Sequence, residues 1–181
     1  RYPMGWTGDV SHGITSSTIL FNFDLPDDEE FDKPFPQERP TVKVTTSAWG
    51  SSLVELDVPA IDYTDEASGE TLNVSRGYAT LEVSSDGQTL DVDSQWPGMV
   101  MRTSDMRVSL ENLNMEQHTT RLAGKLWTGD ANMTLEKLSI AARNEPEVVL
   151  EGLEIVTNSE ASNGDEDFSV VTEVTLDKVN H

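Results

Sequence analysis

Apolar and polar residues alternate at period two along most of this chain, and in four places the alternation skips one residue at the same point. The first copy reads Val108-Ser-Leu110-Glu111-Asn-Leu113-Asn-Met115 and the second Met133-Thr-Leu135-Glu136-Lys-Leu138-Ser-Ile140. The third is Val148-Val-Leu150-Glu151-Gly-Leu153-Glu-Ile155, and a looser fourth is Val174-Thr-Leu176-Asp177-Lys-Val179-Asn-His181. Strict alternation predicts a strand with one apolar face. One extra residue after the acid keeps that face only if the strand bulges there, and a bulge bends and twists it. The phrase therefore predicts a curved, bulged antiparallel sheet. Glu111, Glu136 and Glu151 then face solvent at the bend, as shape-setting residues rather than catalysts.

The rest of the chain reads the same way. Thr18 to Leu25 is a predicted strand with Ile19, Phe21, Phe23 and Leu25 on one face. Thr41 to Ala48 and Ser52 to Val58 alternate again, and Pro59 stops the second because proline cannot donate to a ladder. Asp62 to Glu70 is polar and turn-rich. Leu72 to Val83 and Leu90 to Trp96 flank Ser84-Ser-Asp86-Gly87, where Asp-Gly marks a hairpin. Pro97-Gly98 reads as a turn into Met99. Residues 26–40 and 158–167 read as acidic surface loops. Helical signal is confined to Gln117–Leu126 and Met133–Arg143, and the second suits a bulged strand better because its phrase recurs beside β-branched residues. The expected architecture is all-β, an extended antiparallel sheet or sandwich with at most one or two short helices.

Length supports one β-rich domain over residues 1–181, and a hydrophobic content of 36% with 4 Trp, 5 Phe and 3 Tyr argues against wholesale disorder. Charge narrows the partners. The 33 acidic and 12 basic residues give a net charge of -21, a field that repels phosphate backbones and excludes nucleic acid as an expected partner. Cysteine is absent, so no disulfide, thiolate nucleophile or Cys-bound metal exists. No apolar run reaches the roughly 20 residues that span a bilayer.

Candidate chemistry is sparse, and no catalytic residue, cofactor or metal is expected. Gly124-Lys125 lacks the other residues of a phosphate loop. Ser11-His12 near Asp9 has the residue types of a triad, but a turn before the first strand explains them better, since such groups seldom meet in triad geometry when adjacent in sequence. His12, His118 and His181 are too scattered for zinc. Asp91 and Asp93 flank Val92 on a strand, where a solvated face accounts for them better than a glycosidase pair. The oxygen-rich stretches Asp27–Asp32 and Asp165–Asp167 lack the spacing of a known calcium loop. Trp49, Trp96 and Trp127, like Trp6, sit beside glycines, as covers for small residues or as the aromatic rim of a groove. Met99, Met101, Met106, Met115 and Met133 read as core filler. The residues that pose a question are Leu110, Leu113, Met115, Leu135, Leu138, Leu150 and Leu153, which share one apolar face.

Tyr2-x-x-Gly5-Trp6, Trp49-Gly-Ser-Ser-Leu53 running to Val58-Pro59-Ala60, Gly77-Tyr-Ala-Thr-Leu81, Asp86-Gly87 and Trp96-Pro-Gly-Met99 follow one another along the chain. In that order they resemble motifs of the YdgA-like family of bacterial envelope proteins. Most specific is Leu126-Trp-Thr-Gly-Asp-Ala131-x-Met133-x-Leu135, and the likeness runs from about residue 2 to 155. The family's histidine-glycine-proline motif is represented only by His12-Gly13-Ile14. The resemblance implies an excised N-terminal half of a protein about twice as long that starts with one membrane anchor. It also implies a periplasmic place tethered to the inner membrane of a Gram-negative bacterium, and no established activity. The repeated phrases are similar, more weakly, to AsmA-like envelope proteins, some of which are thought to carry phospholipid along an apolar groove.

Two functions from different classes follow. One is a non-enzymatic structural or protein-interaction domain, with another envelope protein or a second copy as partner. The other is lipid or acyl-chain binding on a concave apolar sheet face. An apolar face needs a cover, and what covers it decides between them.

Overall fold

The alternating stretches are strands, and every pairing among them is antiparallel. The structure, a computed structural model, describes residues 5–24, 38–122, 126–162 and 167–180. In chain order the strands are β1 (Gly5–His12), β2 (Ser16–Asp24), β3 (Thr41–Ser47), β4 (Ser52–Val58), β5 (Ile61–Thr64) and β6 (Thr71–Val74). They continue with β7 (Gly77–Val83), β8 (Thr89–Arg102), β9 (Met106–Arg121), β10 (Trp127–Ala142), β11 (Val148–Ser162) and β12 (Asp167–Asn180). All belong to one sheet, ordered β1-β2-β3-β4-β7-β8-β9-β10-β11-β12, with the β5–β6 hairpin set against the second half of β8. Among the described residues there is no helix, and each strand packs only on its hydrogen-bonded neighbours. The fold is thus an open, one-layer antiparallel sheet rather than a sandwich.

The short strands are pieces of longer ones. Val58 pairs with Gly77 and Ile61 with Val74, so β4 and β5 run against β7 and β6 in one uninterrupted register. Pro59-Ala60 and Ser75-Arg76 interrupt both at the same level. Opposite them, β8 passes through Pro97 without a break.

That level crosses the rest of the sheet as a crease. Between β8 and β9 the ladder joins Trp96 to Leu113 and Gly98 to Glu111, leaving Pro97 opposite Asn112 unpaired. Between β9 and β10 it skips Asn112 and Glu136, between β10 and β11 Glu136 and Gly152, and between β11 and β12 Gly152 and Asp177. A bulge confined to one strand sets two residues against one. Here each strand from β8 to β12 carries its own extra residue opposite its neighbour's, so the register never slips. The backbone responds on alternate strands: Asn112 (φ 50°) and Gly152 (φ 66°) are left-handed, a conformation that glycine and asparagine adopt most readily.

Several local expectations change. Pro97-Gly98 is not a turn, because Pro97 sits in the crease, where no ladder bond is asked of its nitrogen. Ser11 and His12 end a strand, β1, rather than forming a turn before the first one. Residues 117–121, the first half of the helix suggested over 117–126, are strand in β9 instead. The stretch 133–142 is strand, as its phrase implied. Of the polar segment 62–70, residues up to Thr64 are strand. Of the loop expected over 158–167, Asn158–Ser162 is strand and pairs with β12. Ser159 explains why: its hydroxyl accepts from the Gly129 N–H (3.0 Å) and donates to the Gly129 carbonyl (3.1 Å). The acidic stretch 26–37 and residues 163–166 lie outside the described residues. The Asp86-Gly87 hairpin forms as expected, with Gly87 at φ 65° and its N–H donating to the Ser84 carbonyl (2.9 Å).

Candidate functional site

Residues directly opposite one another on neighbouring strands share a face, so the register turns the repeated phrase into apolar rungs. Leu110, Leu138 and Leu150 form one rung, and Leu113, Leu135 and Leu153 the next. A third rung runs from Phe21 through Val42, Leu56 and Ala79 to Ser94, Met115, Met133, Ile155 and Val174. All seven residues singled out from the sequence therefore fall on these three rungs. Of the seven, Leu135 is buried, at 8% exposure, and the other six are partly exposed. What lies against Leu110, Leu135 and Leu150 is their own cross-strand neighbours. No second layer of described residues covers them.

The crease extends to three strands whose phrase lacks the acid. Val58 and Ile61, Val74 and Gly77, and Trp96 and Met99 each flank a two-residue step. The spacing was present in the sequence, but Pro59-Ala60, Ser75-Arg76 and Pro97-Gly98 hid it. At the crease itself Asn112 Nδ2 donates to the Glu136 carboxylate. Lys178 Nζ lies 3.7 Å from Glu151 Oε2. Asn112, Glu136, Gly152, Glu154 and Asp177 border a shallow recess of about 320 Å³, together with Leu135 and Leu153. Asp177 lies over Gly152 so closely that a Cβ there would sit 2.6 Å from the carboxyl carbon.

Elsewhere the polar face carries mostly carboxylates. Asp91, Asp93, Glu116, His118 and Asp130 border a second recess of about 290 Å³. Asp91 accepts a hydrogen bond from His118 Nδ1, and this bond, with the nearby charges of Asp91 and Asp130, pushes the His118 pKa above its ordinary value. Asp57 takes two hydrogen bonds from the Arg76 guanidinium, which hold its carboxyl below the usual range. Arg76 also lies 3.2 Å from Glu38 and over the Tyr78 ring. His12 bonds to Ser17 Oγ (2.8 Å) across the β1–β2 pair, so its described partner is not Ser11. Among the described residues no group of three or more metal-ligating side chains converges. Asp27–Asp32 and most of Asp165–Asp167 lie outside them.

The tryptophans are spread out. Trp49 stands 75% exposed in the β3–β4 turn, and Trp127 opens β10 opposite Arg121. Trp96 pairs with Leu113, eight residues along β9 from Arg121, or about 27 Å at strand rise. Trp96 does cover a glycine, but it is Gly77 on the next strand rather than Gly98 beside it.

Fold and surface together define an open single-sheet β protein with one apolar face and one polar, carboxylate-rich face. The chain belongs to a family of bacterial proteins of unknown function, DUF945, whose model matches residues 10–180. No curated protein and no solved structure gives a significant match.

Proposed function

We propose that the chain is a non-enzymatic structural or protein-interaction domain of a bacterial cell-envelope protein. Its motifs favour the YdgA-like kind, periplasmic and tethered to the inner membrane in the full-length protein. One observation carries the reading: the apolar rungs cross most of the sheet without a covering layer among the described residues. A contiguous exposed apolar surface of this extent marks an interaction site in a folded protein. The carboxylates opposite are engaged by Arg76 and His118 or face solvent as strand residues, which suits a solvated outer face.

A second reading, acyl-chain binding, has its own support. The rung from Phe21 to Val174 crosses nine strands, a span of roughly 38 Å at about 4.8 Å per strand. One leaflet of a bilayer's hydrocarbon core is only about 15 Å deep, so an acyl chain fits along the rung.

One experiment separates the two readings. A photo-crosslinking amino acid is placed in bacterial cells at Leu138 or Leu150 on the apolar face, and at Glu116 or Glu154 on the polar face. Protein adducts from the apolar positions alone support the interaction domain, and lipid adducts from those positions support the alternative. Equal labelling from both faces, or none, sinks both.

A further inference from the structure

The row of side chains nearest the β8–β9 turn departs from the charge pairing of the sheet. Each lysine of the described strands has an acid opposite it: Lys43 faces Glu55, Lys137 faces Glu111 and Glu151, and Lys178 faces Glu151. Arg102 faces Arg107 instead. Their outer neighbours in the row are Thr71 and Ala141, so no carboxylate flanks the pair. Both arginines are exposed, and among the described residues neither guanidinium has an ion-pair or hydrogen-bond partner. Asp105, the acid between them in the chain, is committed elsewhere: it lies 3.5 Å from Arg143 Nη1 and accepts from Ser104 Oγ (3.1 Å). The turn is tied by the Thr103 N–H to the Met106 carbonyl (2.8 Å) and by the Met106 N–H to Thr103 Oγ1 (3.1 Å), which holds the two strand ends side by side. Beside Arg102, Thr71 Oγ1 is buried without a hydrogen-bond partner, and a guanidinium, which only donates, cannot take its proton. Like charges directly opposite one another destabilise a sheet. An anion between them removes that cost.

We infer that Arg102 and Arg107 together bind one phosphate group, as inorganic phosphate or as a phosphomonoester. Side chains directly opposite on neighbouring strands have Cβ atoms about 5 Å apart, so both planar donor forks reach a single tetrahedral anion. A phosphomonoester carries close to two negative charges at neutral pH and matches two guanidiniums, where a carboxylate matches one. The net charge of -21 does not prevent this. At physiological ionic strength exposed charges more than about 8 Å away are largely screened. A lone phosphate therefore meets the arginine pair, whereas a nucleic-acid backbone would also run over the carboxylates beyond. Arg102 and Arg107 alternate with Met101 and Val108, which continue the apolar side past Met99 and Leu110. The pair thus lies on the opposite face, and its ligand does not depend on what occupies the apolar one.

The test is a titration of the nitrogen-15-labelled 181-residue chain with inorganic phosphate at constant ionic strength, read by NMR from the arginine Nε–Hε signals. The expected result is a saturable shift of the Arg102 and Arg107 signals with a Kd in the millimolar range. Arg102→Gln and Arg107→Gln each weaken binding at least about tenfold, and Lys43→Gln on β3 leaves it unchanged. Arg107→Glu gives Arg102 an internal acid in place of the anion, so that variant binds no phosphate and unfolds in urea no earlier than the parent. Should a variant fail to fold, the parent titration alone still locates the site. Flotation with phosphatidylcholine vesicles containing phosphatidic acid separates the two sources of phosphate. Flotation that is lost in Arg107→Gln assigns a lipid headgroup, and its absence beside a phosphate-induced shift assigns a soluble phosphate. No saturable shift, a shift spread evenly over all arginines, or one indifferent to both glutamine variants overturns the inference.

Discussion

The Trp96 indole lies flat across Gly77 on the neighbouring strand, in space that no other residue at position 77 would leave open. A Cβ on Gly77 would fall 2.6 Å from the indole Cζ3. The ring therefore fills the place of a missing side chain in the rung that continues to Leu113. Gly77→Ala is expected to destabilise the fold by about 1–3 kcal/mol through overpacking. Trp96→Leu in the same molecule recovers part of that loss, because the two residues share one space. Urea unfolding followed by circular dichroism measures both. Strict additivity of the two changes would show that the ring does not occupy that space.

Gly129 is held more tightly still. Its φ of 146° is combined with a Cβ direction that points at the β9 backbone, 2.8 Å from Thr119 Cα. Gly69 also has positive φ (76°), but nothing stands within 4 Å of a Cβ there. Gly69→Ala should cost about 1–2 kcal/mol for the left-handed conformation alone. Gly129→Ala should cost more than about 3 kcal/mol, since neighbouring backbone cannot move aside cheaply. Equal unfolding midpoints for the two variants would contradict this.

Asn112 tests the crease. Its φ of 50° suits asparagine and glycine and penalises β-branched side chains. Asn112→Gly is expected to stay within about 0.5 kcal/mol of the parent, whereas Asn112→Val loses about 1–2 kcal/mol. A valine variant as stable as the parent would mean that the left-handed step is dispensable.

The Asp91–His118 pair predicts a pH dependence. Its hydrogen bond raises the His118 pKa above the ordinary 6.5. The folded state thus holds the proton more tightly than the unfolded chain does. The pair's stabilisation is fully present below about pH 6.5 and disappears as pH rises through the higher folded value. An NMR titration of the imidazole reads the shift directly. Asp91→Asn should bring the titration back toward 6.5, and an unmoved titration in that variant would assign the shift elsewhere.

Much of the fold was legible because alternation is a local property: β9 to β12 announce themselves by one phrase, and β3, β4 and β7 by plain period two. The crease was only half legible. Its spacing persists in β4–β5, β6–β7 and β8, but proline, glycine, serine and arginine replace the acid there, and identity masked geometry. Ser159 shows a different limit. A serine amid Asn, Glu and Ala reads as loop until its partner, the Gly129 backbone 30 residues away, is known. The contacts of Gly77 with Trp96 and of Asp91 with His118 join residues far apart in the chain and leave no sequence trace. The candidate face could be read residue by residue, because period two assigns a side. What stands opposite that side is a tertiary fact, and alternation carries no information about it.

The in-register crease has a consequence for how such a sheet tolerates insertion and deletion. Each strand brings its own extra residue, so removing or adding a whole hairpin leaves every remaining rung matched, much as a triplet deletion preserves a reading frame. Losing a single crease residue behaves like a frameshift: beyond it that strand's apolar side chains turn to the carboxylate face. Length variation among sheets of this design is therefore expected in units of two strands, and almost never in single residues at the crease.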